Sequence, residues 1–131
     1  MGIAVDAMGG DTPIAVKVKA AVEAVNDFGI EVVLVGSEKE ISKVLRVYEF
    51  DNQKLRIVNS TEIVEMNESP AISLRQKKDS SIRVAVDLIK SGDVEAVVSA
   101  GNTGASMAVA KFVLKSIEGI ERPAIATLMP S

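Results

Sequence analysis

The chain has 131 residues, which favours a single domain, and its composition of 47% apolar and 25% charged residues is typical of a globular protein rather than a disordered one. It contains neither cysteine nor histidine, so disulfide bonds, cysteine or histidine metal sites and histidine-based catalytic triads are excluded within it. The net charge is −3 at pH 7, and because nucleic-acid-binding proteins usually have a basic excess, we expect no nucleic-acid partner.

Short apolar runs of strand type alternate with segments of helical periodicity along the chain. The predicted strands are residues 2–6, 30–35, 55–58, 96–99 and 124–128. The helices predicted between them stop at Gly29, Gly92 and Gly119, and the apolar stripe of the second helix runs from Ile41 to Tyr48. Residues 59–79 are less regular and predict a long loop with one or two helical turns around residues 71–77.

Polar residues mark the points where the helices begin. The segment Thr12-Pro13 is predicted to open the first helix, with threonine as the cap and proline in the first helical position. Residues 37–40 (SEKE) form a capping box for the second helix, and Ser80 or Ser81 is expected to cap the helix after the loop. Residues 101–104 (GNTG) lead into the last helix.

This alternation predicts a three-layer α/β fold, in which helices cover both faces of a parallel sheet. We expect residues 1–131 to form one such domain. Because the chain stops at Ser131, directly after a predicted strand and Pro130, we expect the fold to be incomplete. The longest uncharged stretch, residues 96–110, is too short and too polar to span a membrane, and no basic region opens the chain as in a signal peptide, so we expect a cytoplasmic protein.

The first candidate site follows the first predicted strand and contains Asp6, Gly9, Gly10 and Asp11. Ligands in open α/β sheets bind beyond the carboxyl ends of the strands, and paired glycines allow a ligand to approach the backbone closely. A tight turn with Asp11 as a helix cap explains the same residues equally well. The segment lacks the spacing of a dinucleotide-binding fingerprint.

The second candidate site is residues 99–104 (SAGNTG), between a strand and a helix. The successive N–H groups of the first helical turn favour an anion such as phosphate, by about 0.3–1 kcal/mol per surface interaction. Asn102 and Thr103 add side-chain donors. A plain helix cap explains this segment about as well.

The third candidate site is the basic run that includes Arg75 and Lys78, just ahead of Ser80 and Ser81. Basic side chains before a hydroxyl-rich helix start suit a phosphate or an acidic partner. Most charge runs of this kind are solvated surface, which is the stronger interpretation for this segment alone.

Together and in this order, the three segments resemble the phosphate acyltransferase family of bacterial phospholipid synthesis. The resemblance is carried by residues 3–11 (IAVDAMGGD), 98–105 (VSAGNTGA) and 118–124 (EGIERPA), with the basic segment between them. Ser106 departs from the leucine that family members usually have. Members are longer than this chain, so the resemblance covers their amino-terminal part.

The resemblance implies a fold like that of isocitrate dehydrogenase and phosphotransacetylase. It implies an enzyme that transfers a fatty acyl group from an acyl-carrier-protein thioester to inorganic phosphate, with no cofactor and no metal. It also implies a homodimer that associates peripherally with the membrane, through parts outside this chain.

For the site, the resemblance implies that Asn102 and Thr103 act in catalysis, where they bind phosphate and support the oxyanion. The residues expected to bind substrate are Gly9, Gly10, Arg75, Lys78, Ser80, Gly101 and Gly104. Asp6 and Asp11 are expected to brace the first loop instead, because like charges 4 Å apart repel by about 4 kcal/mol at an effective dielectric constant of about 20.

Two other functions stay open at this point. One is a phosphotransacetylase-like enzyme that uses coenzyme A thioesters. The other is a non-catalytic folded piece that binds phosphate or, through the basic run at 75–78, an acidic carrier protein.

Overall fold

The fold alternates strands and helices, as the sequence predicts. A computed structural model describes residues 2–121, 124 and 126, and its strands are β1 (Gly2–Asp6), β2 (Glu31–Gly36), β3 (Leu55–Asn59) and β4 (Ala96–Val98). Its helices are α1 (Ile14–Phe28), α2 (Glu38–Leu45), α3 (Pro70–Gln76), α4 (Ser81–Lys90) and α5 (Thr103–Leu114). The strand predicted over residues 124–128 lies outside the described residues, apart from Ala124 and Ala126.

The strands form one parallel sheet in the order β3-β2-β1-β4. Ile3 of β1 pairs with Val32 of β2 on one side and with Ala96 of β4 on the other. Because crossovers between parallel strands are right-handed, α1 and α2, which carry the chain from β1 to β3, cover one face, and α4 covers the other on the way back to β4. The predicted three-layer α/β fold is confirmed.

Side chains that alternate along β2 fill the cores on both faces of the sheet. Val32 and Leu34 pack with residues of α1 and α2, whereas Val33 and Val35 pack with Ala85 of α4. Burial of each large apolar side chain contributes about 1.5–3 kcal/mol relative to exposure. The nearly unbroken apolar run of β2 is therefore explained by burial on two sides.

The last helix packs on the α4 side of the sheet. Ala105, Val109 and Val113 of α5 form a cluster with Ile82 and Val86 of α4. Since the three α5 residues follow each other at intervals of four, they lie on one face of that helix. This packing sends the chain after β4 to the face opposite α1.

Three helix starts test the predicted caps. The caps at Ser37 and Ser80 are confirmed, because each hydroxyl accepts the backbone N–H three residues later, at 3.3 and 3.2 Å. The prediction for α1 is wrong: the helix begins at Ile14, and Pro13 rather than Thr12 occupies the capping position. Pro13 has ψ of 152°, so it already supplies the extended backbone that a capping position requires.

Two helices end earlier than predicted. Tyr48 lies beyond α2, which ends at Leu45, although its side chain packs against the same core. α5 ends at Leu114 rather than at Gly119, because Lys115 has a φ of 68° and leaves the helical region. None of the described helices combines the length and the apolar character needed to cross a membrane.

Candidate functional site

The carboxyl ends of β1 and β4 lie side by side, at a point where the chain leaves the sheet in two directions. After β1 the chain passes to α1 on one face, and after β4 it passes to α5 on the other. Ligands of open α/β sheets bind at such a divergence, and we call this place, beside the carboxyl ends of β1 and β4, the crevice. We call residues 7–13 the β1 loop and residues 99–102 the β4 loop; both border the crevice.

Asp6, the last residue of β1, joins the two loops by hydrogen bonds. It is 3% exposed, and its Oδ1 accepts the N–H groups of Met8 and Gly9 at 3.1 and 3.0 Å. Its Oδ2 accepts the Ser99 hydroxyl at 2.9 Å, and Ser99 Oγ accepts the Gly101 N–H at 3.1 Å. Both carboxylate oxygens of Asp6 are thus bound to the loops.

Glycines allow the two loops to touch backbone to backbone. A Cβ on Gly9 would lie 3.0 Å from Gly101 Cα, and a Cβ on Gly10 would lie 2.4 Å from the carbonyl oxygen of Ala100. Gly10 also has a φ of 87°, a left-handed value that glycine adopts at little cost. The structure therefore brings Gly9, Gly10 and Gly101 together, and the space beside these glycines is filled by the facing loop.

Asn102 caps α5, and its side chain is bound within the protein. Oδ1 accepts the Ala105 N–H at 3.1 Å, while Nδ2 lies 3.2, 3.4 and 3.0 Å from the backbone oxygens of Glu65, Met66 and Glu68. An amide nitrogen has two N–H donors, fewer than these three acceptors, so none is left for a ligand in this arrangement. These bonds fix the start of α5 to residues 65–68. The expected catalytic role of Asn102 stays a prediction.

The first two residues of α5 present free amides at the crevice. No acceptor for the N–H groups of Thr103 and Gly104 is found in the described part of the chain. Thr103 is exposed, so its hydroxyl and this end of α5, which carries the positive end of the helix dipole, are accessible. A Cβ on Gly104 would lie 2.7 Å from Pro70 Cγ, so this glycine lets α5 begin close to α3.

The remaining predicted site residues are Arg75, Lys78, Ser80 and Asp11, of which Asp11 lies in the β1 loop. Arg75 and Lys78 are exposed, and no hydrogen bond or ion pair among residues 2–121 joins them to either loop. Ser80 is 1% exposed and its hydroxyl caps α4. Its expected role in substrate binding stays a prediction. Asp11 is exposed, and within the same residues no hydrogen bond of its carboxylate to the loop is found, so its bracing role stays a prediction.

Lys77, a neighbour of the predicted basic residues, forms an ion pair within the described part of the chain. Its ammonium donates to the Glu68 carboxylate, which also accepts the Glu65 N–H at 3.1 Å. The hydrogen bond from Lys77 is the main reason why the pKa of Glu68 lies below its ordinary value, and the Glu65 N–H is the next. Lys77 and Asn102 therefore hold the same segment, residues 65–68, from two sides.

A buried lysine that the apolar pattern alone does not reveal lies against the β1 loop. Lys17 of α1 is 9% exposed, and its ammonium donates to the carbonyl oxygen of Gly9. Burial lowers the pKa of Lys17, and the nearby Asp6 carboxylate opposes part of that lowering. The sequence does contain a signal, because Lys17 lies three residues after Ile14 and four before Ala21, on the apolar face of α1.

Comparisons with known proteins extend over the whole chain. A family model described as fatty acid synthesis protein matches residues 1–131. A protein named phosphate acyltransferase from Dictyoglomus turgidum is 50% identical over 131 residues, which are 100% of this chain and 39% of that protein. Phosphate acyltransferases of Geobacter sulfurreducens (50% identical, covering 100% and 38%) and Methylococcus capsulatus (51% identical, covering 98% and 39%) are similarly related. The chain thus spans about two fifths of the length of these relatives.

Proposed function

The chain belongs to the fatty acid synthesis protein family, and on that premise we propose that it supplies the amino-terminal part of a phosphate acyltransferase. In the proposed reaction, a fatty acyl group passes from the thioester of acyl-carrier protein to inorganic phosphate and gives an acyl phosphate for phospholipid synthesis. The observation that carries the proposal is the 50% identity, over all 131 residues, with proteins of that name.

The proposed chemistry needs no side-chain nucleophile. A phosphate oxygen attacks the thioester carbonyl carbon, so that a C–O bond forms, the C–S bond breaks and the carrier thiolate leaves. Phosphate already carries negative charge near neutral pH, and the lack of cysteine and histidine in the chain is compatible with this role. The protein has to position the reactants, which is worth up to about 7–11 kcal/mol, and to stabilise the oxyanion, at about 2.7–4 kcal/mol per donor.

The free amides at the start of α5 are the groups best placed to bind phosphate. In this proposal the N–H groups of Thr103 and Gly104 and the Thr103 hydroxyl donate to phosphate oxygens, supported by the positive end of α5. Asn102 acts indirectly, because it caps α5 and fixes residues 65–68 beside it. The contacts of Asn102 support a positioning role rather than the direct catalytic role that the resemblance implies.

The partners and the location belong to the same proposal. Exposed basic side chains suit an acidic partner, so Arg75 and Lys78 are proposed to contact the acyl-carrier protein or to offset phosphate charge. The proposed protein is a cytoplasmic homodimer with peripheral membrane contact. The resemblance assigns that contact to a part of the relatives that this chain does not match.

The test is a chimera in which this chain replaces the matching residues of the Dictyoglomus turgidum relative. We expect the chimera to form acyl phosphate from acyl-carrier-protein thioester and inorganic phosphate, trapped with hydroxylamine and measured as the hydroxamate. A chimera that is folded by circular dichroism yet inactive, beside an active unaltered relative, would contradict the proposal. A coenzyme A thioester at equal concentration is expected to be the poorer donor, and the reverse order would favour the phosphotransacetylase-like alternative.

The role of Asn102 is tested in the same chimera. Asn102→Ala is expected to lower turnover at least about tenfold, which corresponds to about 1.4 kcal/mol of transition-state stabilisation. Ser37→Ala is the matched control, because it removes a similar cap from α2, and no hydrogen bond of the Ser37 side chain to either loop is found among the described residues. Equal turnover in the two variants would remove Asn102 from the site.

A further inference from the structure

Lys17 carries a buried charge that the packing of α1 does not require. It is 9% exposed, on the face of the helix that otherwise buries Val18, Ala21 and Val25. Lysine is almost never buried to this extent unless its charge is paired or hydrogen-bonded, because removing an ammonium from water is costly. The partner found in the described part of the chain is the carbonyl oxygen of Gly9 in the β1 loop.

From Gly9, a continuous series of hydrogen bonds leads to the β4 loop. The Gly9 N–H donates to Asp6 Oδ1 at 3.0 Å, and the Ser99 hydroxyl donates to Asp6 Oδ2 at 2.9 Å across 93 positions of sequence. Ser99 Oγ also accepts the Gly101 N–H at 3.1 Å. Lys17, Asp6 and Ser99 therefore connect the backbones of the two loops that border the crevice.

The same network holds one buried negative and one buried positive charge. Asp6 is 3% exposed and lies at the crevice, where its carboxylate would repel a phosphate dianion. Burial lowers the pKa of Lys17 while Asp6 opposes that lowering, so the two charges interact. An ammonium at this point offsets the charge of the carboxylate.

We propose that Lys17 and Ser99 are positioning residues of the phosphate site, which with Asp6 hold the two glycine loops together, and that Lys17 offsets the Asp6 charge so that an anion binds at α5. Neither residue is assigned a contact with phosphate. The identity of the anion rests on the proposed function, whereas the positioning of the loops does not.

The test uses this chain, isotope-labelled for amide NMR, with inorganic phosphate as the probe. Lys17→Met removes the charge and the donor and keeps the length of the side chain. It is expected to shift the Gly9 and Gly101 amide resonances without phosphate and to weaken phosphate binding at least about tenfold. Lys17→Arg restores both charge and donor and is expected to recover affinity. Lys19→Met, which removes the same charge from an exposed position of α1, is expected to change neither readout.

Each outcome decides one part of the proposal. A phosphate dissociation constant of Lys17→Met within about twofold of that of Lys19→Met would overturn the charge compensation, and unmoved Gly101 resonances would overturn the loop positioning. If Lys17→Met does not fold, Ser99→Ala breaks the same series at the other loop, and unchanged phosphate affinity there overturns the proposal. If the unaltered chain does not bind phosphate, the proposed phosphate site fails, and the ligand-free shifts alone decide the role of Lys17.

Discussion

Gly10 is the residue at which the contact between the two loops leaves least room for a side chain. Its φ is 87°, and a Cβ there would lie 2.4 Å from the carbonyl oxygen of Ala100. Gly92 has a similar φ of 84°, but nothing lies within 4 Å of a Cβ placed on it. Substitutions at these two glycines therefore distinguish the free-energy cost of a left-handed backbone from that of steric contact with the facing loop.

This pair gives a prediction for stability. Gly92→Ala is expected to lower the free energy of unfolding by about 1–2 kcal/mol, the strain of a Cβ in the left-handed region. Gly10→Ala is expected to lower the free energy of unfolding by that amount and by about 1–3 kcal/mol more, because the loops must move apart to admit the methyl group. Urea unfolding measures both free energies, and equal decreases for the two variants would show that the facing loop leaves room for a methyl group at position 10.

Single residues also show where prediction from the sequence stops. The caps at Ser37 and Ser80 are local, because donor and acceptor lie three residues apart, and the sequence predicts them. The acceptors of the Asn102 amide lie 34 to 37 positions away, so no local pattern encodes them. Lys17 is visible as a charge on an apolar face, but its partner depends on the path of the β1 loop.

Among the elements, α3 depends most on contacts at its ends. It has seven residues, too few for a stable helix in isolation. Lys77, directly after the helix, pairs with Glu68, which lies two residues before Pro70 at the start of the helix. Since Asn102 binds the same segment, the ion pair also fixes α3 against the start of α5.

The Lys77–Glu68 pair predicts a pH dependence of stability. Because the folded pKa of Glu68 lies below its ordinary value of 4.5, chiefly through the Lys77 hydrogen bond, its stabilising effect is complete above that value and is lost as the pH falls through the folded pKa. Glu68→Gln is therefore expected to have a lower melting temperature than the unaltered chain at about pH 7. The difference in melting temperature is expected to shrink as the pH falls below about 4.

Thermal unfolding followed by circular dichroism measures this difference. Glu23→Gln, on the exposed side of α1, removes one carboxylate without a partner in the described ion pairs and is expected to show little effect at either pH. A difference for Glu68→Gln that stays constant with pH would mean that its ionised form does not stabilise the segment.

The elements themselves follow largely from the sequence, while some of their ends do not. The apolar run of β2 and the short helix before Lys77 are where the pattern predicts them. The end of α5 differs from the prediction, because Lys115 adopts a left-handed φ of 68° although it is neither glycine nor asparagine, the residues that usually end a helix in this way. Since lysine has no preference for this conformation, the sequence pattern does not indicate where the helix ends.

In the whole molecule, β4 leaves one edge of the sheet unpaired within the described residues. Val98 is 54% exposed there. A groove of about 240 Å³ that includes Ile3 and Ala20 lies on the α1 face, and a groove of about 310 Å³ that includes Val86 and Leu114 lies on the other. Unpaired edges and exposed apolar surface both favour association.

We therefore expect this chain to self-associate as its concentration rises. Val98→Lys places a charge at the edge and is expected to reduce association in sedimentation velocity experiments. Val47→Lys adds the same charge at a side chain that is 81% exposed just after α2, and it is expected to have no such effect. A monomer at every concentration would contradict the prediction.

The architecture could be predicted from the sequence, but the place of the crevice could not. Alternating strands and helices indicate a parallel sheet, yet they do not specify that β4 lies beside β1 rather than β3. That strand order alone brings residues 99–102 against residues 7–13. Pairing over such a separation is decided by packing of the complete chain.

The hydrogen bond between Asp6 and Ser99 has a consequence for how the protein folds, because its partners lie 93 positions apart. A polypeptide that has formed β1, β2 and β3 but not β4 has the β1 loop of the crevice but not the β4 loop in place. An anion that requires both loops stabilises, by mass action, only molecules in which β4 has joined the sheet, and it gives nothing to species without that strand. Retention of such an anion would therefore report that β4 has paired with β1.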